Sequence, residues 1–153
     1  MKKAAVVTLA LALLMSIVMV APAASAQPKK ALRCKLWMQL YWTEPLHWEG
    51  SLTGDIVGSI IVTEGAPSFP GKTEHFTETF AITTADGTIE GFDEGVWSFQ
   101  TFKWRANGMV TAATGDWAYL VGYNVHEIGL TTPVPPLDDA NVYAWGTITL
   151  VHG

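Results

Sequence analysis

Apolar and polar residues alternate with a period of two along most of this chain, a pattern that predicts half-buried β-strands. From Leu32 to Thr43, Leu36, Met38, Leu40 and Trp42 share one face, while Lys35, Trp37, Gln39 and Tyr41 share the other. Glu44-Pro45 ends this strand, since proline cannot donate to a ladder. Leu46 to Gly50 reads as a short link holding His47 and Trp48. Ser51 to Glu64 is β-rich, with Gly54 and Gly58 suggesting bulges or a bend such as a barrel corner. Gly65 to Lys72 has the composition of a loop.

The alternation resumes at Thr73 to Thr84, where Phe76, Glu78, Phe80 and Ile82 oppose His75, Thr77 and Thr79. A glutamate on the apolar face is the first anomaly. Asp86-Gly87 predicts a tight hairpin, and Thr88 to Phe92 continues as a strand. Asp93-Glu94-Gly95 then reads as a turn before the aromatic strand Val96 to Arg105. Asn107-Gly108 carries the strongest two-residue turn signal in the chain, answered by Met109 to Ala113. Thr114-Gly115-Asp116 turns again, and Trp117 to Thr131 is expected as a long strand bent at Gly122 or Gly129. Thr132 to Asn141, with three prolines and two aspartates, is a loop, and Val142 to Val151 is the last strand.

Roughly eight strands, mostly joined by tight turns, point to an antiparallel meander. Closing it removes the unpaired edges. The expected fold is therefore all-β: a single antiparallel eight-stranded (calycin-like) β-barrel, preceded by an N-terminal signal-peptide helix. A sandwich is the alternative, and pairing of the last strand with the first would decide for the barrel.

The N-terminus changes the picture of where the domain begins. Lys2 and Lys3 precede the apolar run Ala4 to Val20, Pro22 breaks it, and Ala24-Ser25-Ala26 supplies the small residues of a cleavage site. The reading is a signal peptide over residues 1–26 cleaved after Ala26, a leader over 27–34 and a barrel domain over 35–153, in a secreted or extracytoplasmic protein. Retention as an N-terminal membrane anchor is the alternative, because about 18 apolar residues suffice to span. After cleavage no stable membrane span would remain. Loss of the two lysines leaves seven basic residues against fourteen acidic ones, a net charge of −7. An acidic chain without a basic cluster argues against nucleic acid and anionic membranes. Cys34 is the single cysteine, which excludes an internal disulfide; it reads as a half-buried thiol in the first strand, with an intermolecular disulfide as the alternative.

The string Asn107-Gly108…Ala113-Thr114-Gly115-Asp116-Trp117-Ala118-Tyr119-Leu120…Gly122 resembles the ATG-x-Y-x-x-L-x-G hairpin of the allene oxide cyclase and dirigent-like β-barrels, with Trp117 where that pattern has tyrosine. The resemblance covers about Gly87 to Thr132. It implies an eight-stranded barrel with an apolar cavity, in a superfamily whose plant enzymes cyclise or guide reactive apolar intermediates. None of their functional residues matches this chain position by position.

Chemistry is sparse in the sequence. Glu78 and Glu90 sit in strand patterns that are otherwise apolar or Thr-rich; a carboxylate inside a barrel would be desolvated and could serve as a general base. His126-Glu127 must face opposite sides of a strand, so the two form no dyad. His126 shares a face with Asn124 and Ile128, and Glu127 with Tyr123 and Val125. Glu74, His75, Glu78, His47, His126 and His152 lack ligand spacing, so no metal and no cofactor is expected. Among the seven Trp, Trp48 and Trp117 near turns are the candidate rim residues, joined by Tyr123 and His126 as candidate ligand contacts. An outer-membrane barrel would require outward apolar bands about 25 Å tall, against which the Thr and Glu content of several strands argues. The expectation is a non-enzymatic module binding an apolar or aromatic small molecule, or a surface interaction protein. The alternatives are a cyclase or isomerase acting in the cavity, and glycan binding through exposed Trp.

Overall fold

Because strand side chains alternate between two faces, eight paired strands commit every second residue to whatever the sheet encloses. In the computed structural model, which describes residues 30–43, 45–133 and 141–153, the sheet encloses a barrel. The strands are β1 (Leu32–Tyr41), β2 (His47–Gly54), β3 (Gly58–Glu64), β4 (Thr73–Thr84), β5 (Gly87–Ser98), β6 (Lys103–Ala113), β7 (Asn124–Thr131) and β8 (Tyr143–Val151). Each pairs antiparallel with its sequence neighbours, and β1 pairs back to β8 from Leu32↔Leu150 to Gln39↔Tyr143. The barrel is closed and the sandwich is excluded. The expected signal-peptide helix and residues 134–140 of the last loop lie outside the described residues.

Several sequence expectations are corrected. His47 and Trp48 belong to β2 rather than a link, and the expected Ser51–Glu64 strand is divided at residues 55–57. Asp93-Glu94-Gly95 and Asn107-Gly108 are no turns: both lie mid-strand, where Asp93 pairs directly with Gly108. The connection between β5 and β6 is instead made at Phe99–Phe102, closed by the Phe102 N–H donating to the Ser98 carbonyl (2.8 Å) with Phe102 at φ 56°. The expected long strand from Trp117 begins as a 3₁₀ helix, Gly115–Leu120, before β7. Gly115, at φ 60°, sets that helix against the β4–β5 turn, where any Cβ would run into the Asp86 carbonyl.

The two ends of the barrel differ. At one end the interior is solid: Leu36, Leu52, Ile56, Ile60, Ile82, Ile89, Val110, Leu120, Val125, Ile148 and Leu150 are buried together. Leu120 of the 3₁₀ helix caps this end, anchored by the Trp117 indole N–H donating to Thr84 Oγ1 (2.9 Å). Cys34 lies in the same core at 2 % exposure, which seals the thiol from intermolecular pairing. Towards the other end the filling changes to aromatic rings laid over glycines. The Phe80 ring covers Gly91, Phe76 covers Gly95, and Trp104 covers Gly129 and Gly146, so a Cβ at any of these glycines would collide with a ring or a carbonyl. A single bulge, where β5 shifts register between Glu90 and Gly91 against β6, bends the wall there.

If the capped end supplies the stability, Leu120→Ala should cost about 2–4 kcal/mol in urea unfolding through lost burial and a residual cavity. An equivalent truncation of exposed Val121 should change the midpoint little.

Candidate functional site

The strand ends Tyr41, His47, Glu64, Thr73, Ser98, Lys103, Thr131 and Tyr143 all lie at the aromatic end, where the solid filling stops. A cavity of about 360 Å³ opens there, at the lower end of the range for small-molecule pockets. Aliphatic walls come from Met38, Leu40, Leu46 and Ala144. Trp48, Phe76, Trp97 and Trp104 add flat apolar surface within, and Trp42, Phe69 and Phe99 surround the mouth. Phe99 meets Trp97 edge-on at 4.9 Å and stacks with Phe69 at 6.2 Å, so the β3–β4 and β5–β6 connections are tied together by rings. The polar lining is limited to Glu64, Glu74, Glu78 and Thr131; it holds no Lys, Arg or His.

The carboxylates follow from register. Glu64 of β3 pairs with Glu78 of β4, which pairs with Asp93 of β5, so three inward acids occupy one cross-strand row. The next partner in the row is Gly108, whose missing side chain leaves room for Asp93. Glu127 enters from β7, and one oxygen each from Glu78, Asp93 and Glu127 lies within 4.8 Å of the others. Two charges at that spacing repel by about 3 kcal/mol or more at an effective dielectric near 20. The cluster therefore holds protons. Burial, and then the charges of Asp93 and Glu127, push Glu78 well above the usual carboxylate range. Burial and the Asp93 charge do the same to Glu127. Asp93 is raised by burial to about 6, opposed by the Glu78 carboxyl group beside it. Both Asp93 oxygens are buried without a donor in hydrogen-bond geometry, and the carboxyl group of Glu78, paired beside them across the strands, is the group placed to supply a proton. Glu78 keeps accessible surface only because it faces the cavity; protein encloses it otherwise.

Nearer the mouth, Glu64 accepts from the Trp48 indole N–H (2.5 Å) yet is still raised by desolvation. Glu74 reaches about 7 through desolvation and the neighbouring Glu64 charge. The Trp104 Nε1–H is buried in the cavity wall with no acceptor, whereas Trp97 Nε1 donates to Thr131 Oγ1 (3.0 Å).

The residues singled out from sequence are distributed unevenly. Glu78 and Trp48 line the cavity. Glu90 faces outward and is exposed, because its pairing with Ala112 sits just before the bulge on the opposite parity to Ile89 and Gly91. Trp117 is at the capped end, and Tyr123, 4 % exposed, packs there against Tyr119 and His152. His126 lies on the outer wall, hydrogen-bonded to Asn107 Oδ1 (2.7 Å). Asp93, Glu127, Glu64 and Trp104 were missed as site residues. Parity with Ile89, Gly91, Gly95 and Trp97 would have placed Asp93 inside; its Asp-Glu-Gly context obscured that.

The fold and the site together define a closed eight-stranded β-barrel with a one-ended apolar cavity floored by carboxyl groups. The chain matches no protein-family model, no curated protein and no solved structure. As an all-oxygen donor set, Glu78, Asp93 and Glu127 have the chemistry of a site for a hard divalent cation, though three residues supply fewer ligands than such ions usually take.

Raised carboxyl pKa values give the folded state more protons than the unfolded one, so stability should fall as pH rises. The contribution is complete below about pH 4 and is lost progressively as pH passes the values near 6 and 7 of Asp93 and Glu74. Urea midpoints should therefore be higher at pH 5 than at pH 8, the Asp93 share of that difference being on the order of 1–1.5 kcal/mol. The double variant Glu78→Gln/Asp93→Asn should flatten that profile; an unchanged slope would show the charge cluster to be inconsequential.

Proposed function

We propose that this protein is an exported barrel that binds an apolar or aromatic small molecule in the cavity at its aromatic end. The observation that carries the reading is the asymmetry of the interior, packed solid at the capped end and left open where rings line the wall. A core that needed only stability would fill the space, since each void costs dispersion contacts. Seven of the fifteen lining residues are aromatic, so an occupant of similar character gains area burial and ring contacts together. Among the described residues no helix is long and apolar enough to cross a membrane. Export rests on the N-terminal sequence pattern, and kinship with the allene oxide cyclase and dirigent-like barrels rests on the Ala113–Gly122 motif.

One observation favours a second reading. Glu78 faces the inner end of an apolar pocket with Asp93 paired behind it across the strands, two carboxyl groups that burial raises unequally above the usual range. Such a pair can deliver and remove a proton on a bound apolar substrate, as an isomerase or cyclase requires. Glu90, on the outer wall, has no part in it.

The binding reading is tested with N-phenyl-1-naphthylamine, a neutral fluorophore that brightens in apolar surroundings. Saturable enhancement is expected, with matching quenching of protein Trp fluorescence. Ala144→Phe, which projects a ring into the cavity, should weaken binding at least tenfold while leaving the circular dichroism spectrum intact. Equal binding by this variant and by an outer-wall control such as Glu90→Gln would remove the cavity as the site.

A further inference from the structure

The sign of the cavity is uniform. Every ionisable side chain in its wall is a carboxyl group, Glu64, Glu74 and Glu78, and directly behind Glu78 stand Asp93 and Glu127. No basic side chain answers them: Lys103 and Arg105 of the adjoining β6 point outward and are exposed. Five acids from β3, β4, β5 and β7 thus converge on one space with no cation among the residues that line it. A pocket for a neutral apolar molecule needs none of them, and burying even one carboxyl without a partner costs several kcal/mol. The aromatic rings around them fit the same sign, because the faces of Trp48, Trp97 and Trp104 are negative.

A second, independent feature points to an occupant. Trp104 is 92 % buried by its 8 % exposure, lines the cavity, and its Nε1–H has no acceptor. An unpaired buried donor costs about 1–3 kcal/mol, which an oxygen on the occupant would offset once a turn of the indole brings Nε1, now closed off against the wall, towards the cavity.

We infer that the ligand of this pocket is an organic ammonium: a primary or secondary amine on an aromatic or branched apolar body, bearing a hydroxyl or carbonyl oxygen. This deepens the binding reading and rests on it. The nitrogen is held at Glu78, and the apolar body lies along the rings towards the mouth. A primary ammonium directs its N–H groups tetrahedrally, so three acceptors at hydrogen-bond distance around it stand roughly 4.6 Å apart. The Glu78, Asp93 and Glu127 oxygens lie within 4.8 Å of one another, so an ammonium meeting Glu78 from the cavity has the two carboxyl groups behind it close enough to share its charge. The protons that neutralise the cluster in the free protein leave as the ammonium enters. Nothing covalent is formed or broken.

The probes are 2-amino-1-phenylethanol, which has ring, hydroxyl and ammonium, and 1-phenylethane-1,2-diol, which replaces the nitrogen by oxygen. Titration calorimetry at pH 7.5 should show the amine binding at least tenfold tighter. Measurements in two buffers of different ionisation enthalpy should show proton release. The preference should shrink towards unity at pH 5, because the carboxyl groups then retain their protons. Glu78→Gln and Asp93→Asn should each cut the preference to less than threefold, with an unchanged circular dichroism spectrum reporting that these variants are folded. Removing the hydroxyl, as in 2-phenylethylamine, should weaken binding in the wild type but not in Trp104→Phe. Equal affinity for amine and diol, or a preference unchanged by Glu78→Gln, would overturn the inference while leaving a neutral-ligand pocket. Calcium binding with proton release that excludes the amine would also overturn it, in favour of a metal site. If neither fluorophore nor amine binds, the binding reading itself falls.

Discussion

The structure depends on one constraint: in a closed sheet, an inward-facing side chain cannot reach bulk water around an edge. Pairing of β1 with β8 makes that condition apply to all eight strands at once. Apolar residues satisfy it by packing, as at the capped end. Carboxyl groups can satisfy it only by holding a proton, finding a donor, or meeting a cation. The raised values of Glu64, Glu74, Glu78, Asp93 and Glu127 are that constraint expressed as chemistry.

Glycine and aromatic residues divide the remaining space. At Gly91, Gly95 and Gly129 the missing side chain admits a ring from the neighbouring strand, and at Gly146 of β8 the Trp104 ring reaches across β7 from β6. Rings laid flat against the wall consume little of the lumen's centre, so the same residues that rigidify the sheet leave the cavity open. Gly108 does the equivalent for a carboxylate, giving Asp93 its place beside Glu78. Binding space and acid cluster are therefore products of the same small–large pairing across strands.

Much of the fold was legible in the residues. The alternation of Leu36, Met38 and Leu40, and of Phe76, Glu78, Phe80 and Ile82, identified inward faces correctly, and meander plus closure followed from strand number and turn spacing. The failures came where turn composition competed with strand parity. Asn107-Gly108 and Asp93-Glu94-Gly95 have the composition of turns, yet they face each other mid-ladder, because Gly108 is needed for space beside Asp93 rather than for a turn conformation. Trp117 showed the reverse: a β-prone stretch became 3₁₀ helix because Leu120 is drawn into the capped end. Of the site, Glu78 stood out as an acid on an apolar face. Asp93, Glu127 and Trp104 did not, since nothing local marks a charge or an indole as convergent.

The sequence by itself determined that this chain makes a sheet, which residues alternate along most strands, and that Glu78 shares a face with apolar neighbours. Local side-chain direction is a property of the backbone, so a period of two suffices to state it. Only the tertiary structure decided that acids from four strands meet at one place, that one end is filled and the other open, and that Glu90 is outside while Glu78 is inside. Those outcomes depend on register between strands and on a single bulge, and one residue of slip would reverse each of them.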